Sequence, residues 1–154
     1  KMVSIDEDSV TGAHGIKVVS DARFSEASLI PSRLLVLPGG MPGTSRLKAH
    51  EGLMAYVKEQ SDSGTLIGAI CAAPSLLDAL GLLKNRHYTC YPGFESQDST
   101  SVYRDEGVVV DGNIITAKGV GASMSFALEL VKQLKGADIA DALKQKMVFT
   151  HRLD

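Results

Sequence analysis

The stretch TLIGAICAAPSLLDAL, Thr65 to Leu80, decides how this chain is read. An apolar run of strand length ends on Cys71, Pro74 follows, and a helical spacing of leucines begins. A continuous apolar run that switches to a helical period reads as a strand buried on both faces feeding a crossover helix. A side chain on such a tight strand-to-helix turn stands above the sheet edge, which is the logic of a nucleophile elbow. The cramped turn needs small neighbours: Gly68 and Ala69 precede the cysteine, and Ala72 and Ala73 follow it. The motif's usual flanking glycines are alanines here. A helix starting just past the sulfur points unpaired N–H groups and its positive dipole end at it, which favours thiolate over thiol. Pro74 suits the first helical turn, where its missing donor costs nothing. The same residues also describe a small buried hydrophobe, a common fate of free cysteine.

Working outward, strand-length apolar runs alternate with helical patterns. KMVSI (Lys1–Ile5), IKVVS (Ile16–Ser20), RLLVLPGG (Arg33–Gly40), HYTCY (His87–Tyr91), GVVVDG (Gly107–Gly112) and NIITA (Asn113–Ala117) read as strands. The last two predict a hairpin around Asp111-Gly112. Helices are predicted over Thr44–Gln60, with Leu47, Leu53, Met54 and Val57 facing the core, and over Pro74–Leu83, Ser123–Leu134 and Ala137–Lys146. The fold class that follows is α/β: a three-layer, flavodoxin-like or Rossmann-like sandwich, with a mostly parallel sheet between helices. Ligands in such sheets sit outside the carboxyl ends of the strands, where PGGMPG, CAAP and KGVGAS are placed. Gly119 and Gly121 are expected to take backbone conformations that other residues resist, with Lys118-Gly119 closing the pocket.

The 154 residues suggest one domain spanning positions 1–154. A net charge of −2 leaves no electrostatic footprint for nucleic acid or an anionic membrane. No apolar run is long enough to span a bilayer, and KMVSIDEDSV lacks the apolar stretch of a secretory signal. Two cysteines without a Cys-x-x-Cys or histidine pattern make neither a disulfide framework nor a zinc site, so no metal is expected and a reducing, cytoplasmic setting is the simplest reading. Neither glycine-rich loop completes Gly-x-Gly-x-x-Gly, and no acidic residue lies about 20 positions on at a strand end, which counts against the dinucleotide reading.

Four ordered segments, LLVLPGGMPG, GAICAAP, YTCYPGFE and GNIITAKGVGASMSFALELV, resemble the ThiJ/PfpI superfamily from about Val10 to Met147. They look closest to its short single-domain bacterial branch. The resemblance implies that Cys71 is the reactive cysteine. Gly39, Gly40 and the amide of Ala72 would supply an oxyanion hole, and His14 lies in a loop where it either lines the site or simply faces solvent. It also implies a homodimer, no cofactor, and glyoxalase- or deglycase-like action on a small reactive carbonyl in stress protection. The alternative is a non-enzymatic redox-sensing chaperone in which Cys71 becomes a sulfinate.

Two departures from the family pattern matter. Its first strand and helix, which carry an acidic residue touching the cysteine sulfur, have no counterpart here. A unit of roughly 30 residues is expected outside these positions, as a separate N-terminal fragment or as residues of the same protein beyond this sequence, because a sheet without a central strand leaves unpaired edges. Second, many members place a histidine in the loop matching Gly93–Glu106; here Thr100 falls near that position, and a protease mechanism loses its base. A glutamine amidotransferase would need a late histidine with glutamate two residues on, which neither His87 nor His151 provides. Cys90 reads as a buried strand cysteine, with a resolving thiol as the sharper alternative, and Glu95 as a solvated loop carboxylate.

Overall fold

The structure, a computed structural model, describes residues 1–25 and 32–150. In chain order it comprises β1 (Val3–Ser4), β2 (Ser9–Thr11), β3 (Lys17–Val19), β4 (Ala22–Arg23), β5 (Leu34–Leu37), α1 (Gly43–Ala49), α2 (Glu51–Asp62) and β6 (Leu66–Ile70). Then follow α3 (Pro74–Ala79), β7 (His87–Tyr88), β8 (Val102–Tyr103), β9 (Val108–Asp111), β10 (Ile114–Ala117), α4 (Ser123–Lys135) and α5 (Ala137–Lys146).

The central sheet has the order β5-β6-β10-β9. Its first three strands are parallel, and β9 returns antiparallel through the hairpin expected at Asp111-Gly112. Side chains alternate across it as the pleat requires. Ile67, Ala69 and Ile114 face a core shared with Leu53 and Val57 of α2 and Leu76 and Leu77 of α3. Ile115 and Ala117 face Phe126 and Leu130 of α4 on the other side. Val57, Ile67 and Leu76 are fully buried, each worth roughly 1.5–3 kcal/mol over an exposed counterpart. Helices on both faces of a mostly parallel sheet are the predicted α/β sandwich.

Local differences from the sequence reading have local causes. The helix expected over Thr44–Gln60 is two helices, broken where His50 is extended (φ −86°, ψ 96°). Its ring Nδ1 accepts the Leu53 N–H at 3.0 Å, so a residue read as helical interior is the N-cap of α2. The helix read to Leu83 stops at Ala79, and the strand read over His87–Tyr91 is only two residues long. The short strands β2, β4 and β8 carry too few residues for a period to show.

Because β5, β6 and β10 are parallel and in register, PGGMPG, CAAP and KGVGAS leave the sheet at the same end. The pair β1–β4 and the hairpin β2–β3 stand as separate small sheets. Between them and β5 lies a groove of about 1010 Å³, lined by Val3, Val36, Gly39 and Gly40 among others. Among the described residues, no helix is long and apolar enough to cross a membrane.

Candidate functional site

Cys71 is the first residue beyond β6, and its φ is +66°. A non-glycine residue in the left-handed region costs on the order of 1–3 kcal/mol and persists only where its surroundings hold it. Two main-chain bonds do that here. Its N–H donates to the Ala117 carbonyl at the end of β10, and its own carbonyl accepts from the Tyr91 N–H, both at 2.9 Å. The cysteine is thus clamped between two loops while its side chain stays half-buried rather than sealed.

Gly39 completes the corner. A Cβ at this position would lie 2.5 Å from the Ile70 carbonyl oxygen, 2.6 Å from the Cys71 Cβ and 3.0 Å from the Ala72 nitrogen. All three are backbone or near-backbone atoms that cannot swing aside, so only glycine lets the PGG loop rest on the elbow. Gly40 next to it has φ +88°. Ala72 is buried, and neither its N–H nor those of Gly39 and Gly40 make a main-chain hydrogen bond among the described residues. Gly39 thus meets the Cys71 Cβ and the Ala72 nitrogen in one corner, and main-chain N–H groups of this kind can stabilise negative charge on an oxygen. The smallness of Gly68 has a different cause: a Cβ there would meet the Phe126 Cζ at 2.9 Å, so it serves the packing of α4 on the sheet.

The other residues singled out in the sequence are dispersed. His14 is exposed in the β2–β3 hairpin loop and lines the large groove that Gly39 and Gly40 also line. No described histidine bonds Cys71: His50 caps α2, and the His87 Nδ1 lies 3.3 Å from Asp111 at the hairpin turn. His151 lies outside the described residues. Thr100 closes a turn on Asp98, and the Glu95 carboxylate accepts the Gly93 N–H at 2.9 Å. Gly119 is extended (φ 176°), and Gly121 shows no left-handed φ, so the unusual backbone expected of these two is absent. Lys118 pairs with Asp105, which holds the Asp105 carboxyl below its ordinary range and raises the lysine.

Cys90 is fully buried in the core beside Tyr88. Burial, then the carboxylates of Glu95 and Asp78, push its thiol up to about 12. A thiol held protonated in this way is a poor nucleophile, which favours the buried-strand reading over a resolving role. Sequence reasoning missed the Tyr91 and Ala117 clamps and the Lys118–Asp105 pair. No local motif signals any of them, because each joins distant segments.

The family model described as DJ-1/PfpI family matches residues 1–133. Over 133 residues the chain is 40% identical to Protein DJ-1 homolog B of Arabidopsis thaliana, covering 85% of this chain but 30% of that protein. The chain thus spans about a third of the plant relative. It is 33% identical to the glutathione-independent glyoxalase DJR-1.2 of Caenorhabditis elegans (88% of this chain, 73% of that one). It is 32% identical to a deglycase of Pyrococcus abyssi (87% and 81%). Among solved structures, a DJ-1 superfamily protein from Salmonella typhimurium superposes with a TM-score of 0.88 at 33% identity, over 98% of this chain and 82% of that one. Toxoplasma gondii DJ-1 does so with a TM-score of 0.90 at 28% identity, over 97% and 82%. Family model, sequence relatives and fold agree: the chain belongs to the DJ-1/PfpI family.

Proposed function

We propose that the chain acts, as a glyoxalase or deglycase does, on small reactive carbonyls, with Cys71 as the nucleophile. The thiolate adds to the aldehyde carbon of an α-oxoaldehyde, forming the S–C bond as the carbonyl π pair moves to oxygen. The N–H groups of Ala72, Gly39 and Gly40 are the donors available to that oxyanion. Protonation gives a hemithioacetal. Transfer of the aldehydic hydrogen to the neighbouring carbon gives a thioester, which water cleaves to the 2-hydroxy acid and free Cys71. The net change is addition of one water, so no external oxidant or reductant enters.

The observation that carries this reading is the left-handed Cys71 held against Gly39 with its sulfur half-buried, because strain of this kind is retained where it serves a reactive group. Two relatives are named for these activities, a glyoxalase and a deglycase. The test is turnover of methylglyoxal without glutathione by the parent chain and by Cys71→Ser. Loss of turnover in the variant supports the reading; equal rates remove the cysteine from the mechanism.

A second reading, peroxide sensing by Cys71, is favoured by the contrast between the two thiols. Cys71 is half-buried, whereas Cys90 is sealed and held protonated. Its test is intact-mass analysis after mild peroxide: a two-oxygen gain confined to the Cys71 peptide supports it, and oxidation elsewhere counts against it. A homodimer fits the exposed apolar side chains of the β2–β3 hairpin, Val10, Ile16, Val18 and Val19.

A further inference from the structure

The edge strand β9 borders a second groove, of about 790 Å³, with Val108 and Val110 on one side and α4 on the other. The bond from the Lys118 N–H to the Gly107 carbonyl sets the alternation of the β9–β10 ladder. Residues 107, 109 and 111 therefore exchange hydrogen bonds with β10, and Val108 and Val110 turn their N–H and C=O groups outward. Among the described residues nothing pairs with them on that side, because β9 is the last strand of the sheet. The Val110 side chain is 40% exposed beside this open edge. Such a row of unpaired main-chain groups is a template for an added strand.

The charges along the groove say what kind of strand. Lys118 is paired with Asp105, and Lys132 lies 3.3 Å from Glu129, so both lysines are neutralised in place. The remaining lining carboxylate, Glu106, is exposed and makes no ion pair among the described residues. The uncompensated charge of the groove is negative.

We propose that this groove docks an extended, basic segment of another polypeptide, added as a strand against Val108 and Val110 with a lysine or arginine side chain directed at Glu106. The main-chain bonds supply affinity, and the single carboxylate supplies the preference for basic over acidic segments. The proposal does not depend on the chemistry of Cys71, so loss of Cys71 reactivity leaves it standing.

The test uses the whole chain and two fluorescein-labelled peptides, one alternating valine with lysine and one alternating valine with glutamate. Anisotropy should show the basic peptide binding about 10-fold or more tighter than the acidic one. Its binding should slow amide exchange at Val108 and Val110. Glu106→Lys, at an exposed position, should weaken the basic peptide about 10-fold while leaving the melting temperature unchanged. Val110→Pro removes an outward N–H at an edge position where proline is tolerated, and should also weaken binding. Equal affinity for both peptides, no binding of the basic peptide, or exchange protection confined to other strands overturns the proposal; the exchange measurement on the parent chain decides it even if the proline variant folds poorly.

Discussion

Replacing Gly39 by alanine is the most direct perturbation of the corner around Cys71. The new methyl would begin 2.5 Å from the Ile70 carbonyl oxygen and 2.6 Å from the Cys71 Cβ. Reaching 3.4 Å, the near limit of ordinary contact, needs a retreat of about 0.9 Å of the PGG loop or of the elbow. Overpacking of this kind costs about 1–3 kcal/mol. In a chain of this size about 1 kcal/mol moves the melting temperature by about 2–4 °C, so a fall of about 2–12 °C is expected. A displacement approaching 1 Å also costs a positioned reaction about 100-fold, and methylglyoxal turnover should fall on that scale. Two assays separate the effects: thermal unfolding, and the rate of iodoacetamide alkylation at the Cys71 peptide read by mass spectrometry. Gly68→Ala is the matched control. Its methyl meets Phe126 at 2.9 Å and Leu130 at 3.2 Å, both ends of flexible side chains. It should lower the melting temperature and leave Cys71 alkylation unchanged. A Gly39→Ala protein with parental melting temperature and parental alkylation rate would refute the contact between loop and elbow.

Cys90 contributes to the pH dependence at the alkaline end, where burial raises Tyr88 and Tyr103 in the same direction. Its folded thiol is raised above the ordinary value of 9.0 to about 12, so between those values the folded chain keeps a proton that the unfolded chain has released. Stability is full below about 9 and declines as pH rises towards about 12; Cys90→Ala should flatten that decline in urea melts taken across the window. His50→Ala removes the acceptor of the Leu53 N–H and should cost about 1 kcal/mol, seen as a fall of about 2–4 °C in melting temperature.

Much of the fold was legible because its signals are short-range. β6 and β10 are apolar runs buried on both faces; β6 stops just before Cys71, where the apolar run was read to end, and β10 lies within one residue of its predicted bounds. α5 matches Ala137–Lys146 as read, since Gly136 with φ +93° separates it from α4. The break at His50 was not legible, because the periodicity of Leu47, Leu53, Met54 and Val57 continues across it and only the ring's bond to Leu53 reveals a cap. The grouping of Cys71 with Gly39 and Ala72 was anticipated from the motifs that carry the family resemblance, whereas the left-handed backbone of Cys71 was not.

The sequence by itself determined the alternation of strands and helices, the end of the sheet at which three loops gather, and the identity of the cysteine at the turn. Those follow from local periodicity and from where apolar runs stop. Only the tertiary structure decided that Gly39 rests on the Cβ of Cys71, that Tyr91 and Ala117 clamp its backbone, and that Cys90 lies sealed below. Each of these depends on how segments far apart in the chain are brought together, and steric contact and burial across a sheet have no local period to read.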